Sequence, residues 1–271
     1  MSQPAAAGPL TGCCIVTTRP AGQAAGLMAR LEAQGAEVIN FPVIAIDAAD
    51  PAPLVAADLA AFDMAFFVSA NAVEQAFRIR PRADWPDQLR VAAVGPASAR
   101  ALTAQGWPRI IVPQSGFDSE AVLALPEFSA EQLAGRRVLI LKGEGGRDLL
   151  ARTIGERGAA LEQICVYQRS KAALDPAGLL ARAARGELDA LVFSASEGLR
   201  FFLEITGEAG RALLAARPCF APHPRIVSAL VEAGAGQAVQ SEPGDEGIVA
   251  ALLGHFAPGQ PAPGGAPRTR D

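Results

Sequence analysis

The chain has 271 residues, of which 50% are hydrophobic and 19% charged, with a formal net charge of −4. That length favours two domains over one, each able to bury its own core. The mild acidity excludes a generic nucleic-acid binder, whose footprint is basic, so any anionic ligand must be held by local donors rather than by the field of the whole molecule.

In chain order, MSQPAAAGPL lacks the basic and apolar regions of a signal peptide, and no apolar run approaches the about 18 residues of a membrane span. A cytoplasmic protein with no membrane contact is expected. Short β-like runs then alternate with helical patterns: CCIVTT (13–18), AEVINF (36–41), MAFFV (64–68), RVAAV (90–94), RIIV (109–112), RVLIL (137–141), LEQICVYQ (161–168), ALVF (190–193), PCFA (218–221) and QAVQ (237–240). This alternation is the signature of α/β architecture. Uniformly apolar short strands fit a parallel sheet covered on both faces. In the first helical stretch Leu27 and Leu31 lie one turn apart, and Gly35 suits a C-terminal cap. Residues 1–9 and 257–271, rich in Pro, Gly and Ala, read as disordered tails.

The halves repeat each other. Residues 12–44 lie without a gap over residues 135–167, so that Gly12 meets Gly135, Leu27 meets Leu150 and Gly35 meets Gly158. FDMAFFVSAN (62–71) then matches LDALVFSAS (188–196), and VGPASARALTAQG (94–106) matches PHPRIVSALVEAG (222–234). A period above 100 residues means domain duplication, not a solenoid. Two similar α/β domains follow, with the loops after the strand C-termini as the natural binding surface.

Several of those loops carry polar residues. TTRP offers Thr18 and Arg19; its counterpart KGEGGR offers Lys142, Gly143, Glu144 and Arg147. Neither is a P-loop, because Lys142 precedes the glycines and no Ser or Thr follows. KGEGGR could bring backbone N–H groups to an anion at a helix N-terminus or could be a turn with solvated charges; the loop alone leaves both open. Ser69, Asn71, Ser194 and Ser196 sit just past strand ends, where helix capping is the default role. Gly95, Ser98, His223 and Arg225 occupy the next equivalent joints. Tyr167 is the only tyrosine. It could donate a hydrogen bond or serve as a weak acid, although a lone strand aromatic is more often packing. Cys13, Cys14, Cys165 and Cys219 form no CxxC pair and read as small buried hydrophobes. With His223 and His255 the only histidines, a histidine-built metal centre is not expected.

Over residues 12–256 the order and spacing of VTTRP, FPVI (41–44), FFVSANAV (66–73), VAAVGPASARAL (91–102), LILKGEGGRDLLARTIGERGAALEQICVYQR (139–169), LVFSAS (191–196) and PHPRIVSALVEAG resemble the uroporphyrinogen-III synthase family. The resemblance implies two α/β domains, one discontinuous, joined by a two-stranded β-ladder with the active site in the cleft between them. Residues 10–44 with 170–256 would form one domain and 45–169 the other. It implies that no cofactor or metal is needed and that the small-molecule substrate is the linear tetrapyrrole polycarboxylate hydroxymethylbilane; a monomer is expected, though the sequence does not decide it. Tyr167 would assist departure of the substrate hydroxyl, and the loop residues named above would bind substrate. One departure stands out: Pro222-His223-Pro224-Arg225 replaces a turn that carries hydroxyl donors in many relatives. Two rivals remain, a non-catalytic two-lobed binding module and a phosphotransferase; the second is disfavoured by the P-loop mismatch.

Overall fold

The computed structural model describes residues 8–145 and 148–256. The two tails expected to be disordered lie outside them except for Gly8 and Pro9, as do Gly146 and Arg147. The chain runs through β1 (Cys14–Thr17), α1 (Ala21–Glu32), β2 (Glu37–Asn40), β3 (Ile44–Ala48), α2 (Ala52–Ala56), β4 (Met64–Phe67), α3 (Ala70–Ile79), β5 (Arg90–Ala93) and α4 (Pro96–Ala104). It continues through α5 (Ser119–Leu123), α6 (Ala130–Leu133), β6 (Arg137–Gly143), α7 (Leu149–Glu156), β7 (Ala160–Lys171), α8 (Ala177–Ala184) and β8 (Ala190–Val192). It closes with α9 (Ser196–Ala216), β9 (Pro218–Ala221), α10 (Pro224–Glu232), β10 (Gln237–Gln240) and α11 (Gly244–His255). Two compact units result: Met1–Ala45 with Lys171–Asp271, and Ile46–Ser170.

The first unit holds a sheet of order β10-β9-β8-β1-β2, parallel throughout. Counted within the unit this is 2-1-3-4-5, the flavodoxin-like doubly wound order. Apolar strands suit it because helices cover both faces: β1, β8 and β9 are buried along their whole length. Leu27 and Leu31 of α1 and Ile248 and Leu252 of α11 are fully enclosed in the core on one side. On α9, Phe202 meets Phe41 and Phe193 edge to face.

The second unit has sheet order β3-β7-β6-β4-β5, with β4 to β7 parallel. Matching β6, β7, β4 and β5 to β1, β2, β8 and β9 reproduces the sequence repeat. The repeat also accounts for a departure from expectation. RIIV (109–112), the counterpart of β10, forms no strand; only Ile111 bridges Ala92. Pro108 and Pro113 flank it, and proline cannot extend a ladder. In turn β3, which the apolar pattern does not mark, is a strand along β7. Ala49 N–H donates to Val166 O and Ala172 N–H to Val43 O, so the two run antiparallel.

Equivalent glycines share one backbone role. Gly12 and Gly135 (φ 83° and 73°), Gly35 and Gly158 (90° and 88°), and Gly106 and Gly234 (88° and 89°) all take the left-handed conformation. The last two pairs follow helices, where glycine ends the helix without a Cβ clash.

All four thiols are free, with Cys14 and Cys219 buried. Burial, then the Glu37 carboxylate, pushes Cys14 up to about 11, and burial pushes Cys219 up to about 12. A thiol that resists ionisation is a poor nucleophile. Titration with Ellman's reagent at neutral pH should therefore detect only the half-buried Cys13 and Cys165 in native protein, and all four thiols in denaturant. Release of Cys14 or Cys219 before unfolding would contradict the packing described.

Candidate functional site

In a doubly wound sheet the crossovers on either side of the first strand leave in opposite directions, which opens a crevice beyond the strand C-termini. In the first unit that point lies past β1 and β8, where Thr18, Arg19 and Ser194 come together. Thr18 is buried, and both its N–H and its hydroxyl donate to Val192 O. Arg19 donates from Nε to Ser194 Oγ at 2.9 Å and from Nη1 to Asp245 Oδ1 at 2.6 Å, with only 14% of its side chain exposed. Asp245 comes from the first turn of α11, where a carboxylate also favours the helix dipole. The arginine expected to greet substrate is thus already paired inside its own unit. Ser194 and Ser196 do not cap α9, whose N-cap is Ala195 with no side-chain bond. Ser194 serves Arg19, and Ser196 Oγ is enclosed with no protein partner. His223 caps α10, its Nδ1 accepting from Arg225 N–H at 3.1 Å, while the Arg225 side chain is exposed.

In the second unit the equivalent point lies past β6 and β4. Between Lys142 and Gly143 the pairing of β6 with β7 slips, so Lys142 faces Cys165 but Gly143 faces Tyr167. Such a bulge re-aims a side chain. Tyr167 starts on β7, and its ring crosses over β6 to reach Ser69 beyond β4. The crossing is possible only at a glycine: a Cβ on Gly143 would lie 2.5 Å from Tyr167 Cζ. The Tyr167 hydroxyl meets Ser69 Oγ at 3.0 Å, and Ser69 Oγ also accepts from Ala72 N–H at 3.1 Å as the N-cap of α3. Glu144 N–H donates to Tyr167 O at 2.9 Å, pinning the backbone on the same side.

Tyr167 is 3% exposed, yet its ring lines a cavity of about 220 Å³. Lys142, Gly143, Glu144, Ser119 and Arg169 share the lining. Lys142 Nζ stands 3.5 Å from Gln163 Oε1 and 4.0 Å from Asp148 Oδ1. Asn71 and Ser98 are buried within α3 and α4. Gly95 precedes α4 and lies under Phe117, an exposed residue with a left-handed φ of 37°. Arg147 lies outside the described residues.

Four contributors escaped the reading of the sequence: Asp245, Ser119, Arg169 and Phe117. Phe117 had a signal, since an aromatic inside QSGFDS is out of place in a polar loop. Asp245, 226 positions from Arg19, had none.

The family model described as uroporphyrinogen-III synthase HemD matches residues 26–250. The chain belongs to the uroporphyrinogen-III synthase family. Uroporphyrinogen-III synthase of Escherichia coli (strain K12) is 34% identical over 191 residues, which cover 69% of this chain and 77% of that one. The Synechococcus elongatus enzyme is 31% identical over 204 residues, 73% and 76% of the two chains. Among solved structures, Helicobacter pylori uroporphyrinogen-III synthetase superposes with a TM-score of 0.57 at 16% identity, covering 90% of this chain and 99% of that one. A mutant uroporphyrinogen III synthase of Thermus thermophilus gives 0.53 at 21%, covering 90% and 97%. At such identities the superpositions show the shared fold.

In this member of the family, Gly143→Ala should displace the Tyr167 ring and sever its bond to Ser69. The expected loss is about 1–3 kcal/mol of stability, as for overpacking elsewhere. It should come with a changed near-ultraviolet circular dichroism spectrum, to which the sole tyrosine contributes beside two tryptophans. Chemical denaturation monitored by that spectrum would show both; wild-type stability would mean the ring is not seated over Gly143.

Proposed function

We propose that this chain converts hydroxymethylbilane into uroporphyrinogen III, with Tyr167 assisting departure of the substrate hydroxyl. Support comes from the family match over most of the chain. Within the site, the observation that carries the reading is Tyr167, crossed over Gly143 and lining a cavity beyond the strand C-termini.

The chemistry demands little of the protein's side chains. The hydroxyl leaves the ring A end as water once it gains a proton, and the adjacent pyrrole nitrogen pushes its electron pair to form an azafulvene. Ring D attacks that carbon through its own substituted carbon, giving a spiro intermediate. The intermediate breaks and recloses with ring D inverted, and loss of a ring proton restores aromaticity. A phenol O–H can donate a hydrogen bond to the leaving oxygen. The remaining contribution is positional, since holding a flexible chain in one geometry removes most of the entropic barrier to closure.

In this reading the carboxylates of the substrate go to amides and side chains of the loops: Thr18, Arg19, Ser194, Ser196, His223 and Arg225 in the first unit, and Ser69, Asn71, Gly95, Ser98, Lys142, Gly143, Glu144 and Arg147 in the second. Arg225 fits a carboxylate best by geometry, being exposed at a helix start. Arg19 can take one only by giving up or sharing Asp245. The enzyme would act as a cytoplasmic monomer. Among the described residues no group of three or more His, Cys, Asp or Glu could hold a metal ion, and no helix is long and apolar enough to cross a membrane.

Freshly prepared hydroxymethylbilane, incubated with the purified protein without added metal or cofactor, should yield mainly the type III isomer. Unassisted closure gives type I, so type I at the blank rate from folded protein would return the chain to the binding-module reading. Tyr167→Phe should lower kcat by about 10²-fold, the modest end of general-acid effects. The product should remain type III, because position and not the phenol dictates inversion. Unchanged kcat would remove Tyr167 from the mechanism.

A further inference from the structure

We infer that Ser69 is a positioning residue that donates its hydroxyl hydrogen to Tyr167, leaving the phenol hydrogen free for the substrate. The inference rests on the reading of Tyr167 as the group that assists hydroxyl departure.

Two observations set the direction of the bond. Ser69 Oγ already accepts Ala72 N–H at 3.1 Å, as the cap of α3. That acceptance lies at the positive end of a helix ten residues long, with Ala70, Asn71 and Ala72 forming its first turn. A hydroxyl whose oxygen accepts a hydrogen bond becomes a better donor, because the bonds in a chain polarise one another. The acceptor within reach is the Tyr167 hydroxyl oxygen at 3.0 Å. With the Ser69 hydrogen placed there, every hydrogen of the chain Ala72 N–H, Ser69 O–H, Tyr167 O–H runs the same way, from helix to cavity. The reverse order would leave Ser69 Oγ accepting twice and the phenol hydrogen spent on serine, unable to reach a leaving group.

The surrounding structure holds the pair in register. Gly143 lets the ring lie flat across β6, where a Cβ would meet Cζ at 2.5 Å and Cε2 at 2.7 Å. The slip in the β6–β7 pairing brings Tyr167 to that glycine, and Glu144 N–H secures the Tyr167 carbonyl. Ser69 therefore does two jobs, capping a helix and aiming a phenol. Three substitutions separate them. Ser69→Ala removes both. Ser69→Asp keeps the cap, since Asp is as good an N-cap as Ser, but a carboxylate cannot donate and would capture the phenol hydrogen. Ser69→Thr keeps both.

Because Tyr167 is the only tyrosine, the tyrosine Fermi doublet in the ultraviolet resonance Raman spectrum reports this phenol alone. Its intensity ratio distinguishes a phenol that accepts a hydrogen bond from one that only donates. The wild-type doublet should show an accepting oxygen, Ser69→Ala should lose that character, and Ser69→Asp should give the donor-only ratio. In turnover, Ser69→Ala and Ser69→Asp should lose about tenfold in kcat, the worth of one neutral hydrogen bond. Ser69→Thr should restore both doublet and kcat. Thermal unfolding should show Ser69→Asp as stable as wild type, so its lost turnover would not be a folding defect. A donor-only doublet in the wild type, or identical doublets in wild type and Ser69→Ala, would overturn the inference. The reading of Tyr167 fails separately, through full turnover in Tyr167→Phe, whatever the doublet shows.

Discussion

Parallel strands in the order 2-1-3-4-5 must send the crossovers around the first strand to opposite faces, and the gap this leaves beyond the strand C-termini cannot be filled by backbone. The first unit has this order, the second repeats its 2-1-3-4 part as β7-β6-β4-β5, and both keep polar side chains beyond the switch point. The central strands have no room for such groups, since β1, β8, β9 and β4 are buried along their whole length. Polar residues are displaced to the ends, and the topology decides which end has space. Function in this fold is a consequence of where the sheet cannot close.

The two units fill the same gap differently. In one, three elements meet through charge: Arg19 after β1, Ser194 after β8 and Asp245 on α11. With the arginine 14% exposed, removing either partner would strand a half-buried charge, which costs far more than the pair gains. In the other, the link is neutral: a phenol, a serine hydroxyl and a helix N–H. A neutral chain carries no desolvation penalty for ions. Duplication supplied the frame, and the contents of the gap diverged.

Much of this was readable before any coordinates. Apolar runs between helical patterns marked the parallel strands, because strands buried on both faces have no alternation to hide. The repeat foretold the glycine pairs, which share left-handed turns. What failed had local physical causes. RIIV looks like a strand but is clipped by prolines to a single bridge, while IAIDA (44–48) is a strand despite its mixed polarity. Capping was read correctly for Ser69 and wrongly for Ser194, whose oxygen is taken by Arg19. The Arg19–Asp245 pair joins residues 226 apart and leaves no trace in either neighbourhood. Lys142, Gly143 and Tyr167 were each singled out, but that the glycine exists for the tyrosine depends on a one-residue slip in pairing, which no pattern of residue types records.

That slip also bears on how so sparse a site could direct the proposed reaction. A phenol is a feeble acid in water, and a flexible one would be feebler still, because each rotatable bond it keeps is entropy to be lost at the transition state. Here the ring is wedged over a glycine, the tyrosine carbonyl is bound by the Glu144 amide just past β6, and the hydroxyl is tied to a helix cap. Two of these restraints come from backbone, and the third from a serine that is itself held as a helix cap. On the proposed reading the phenol is therefore already held in place before substrate arrives. A cyclisation whose electrons come from the substrate needs little more than one well-aimed hydrogen and a mould around it.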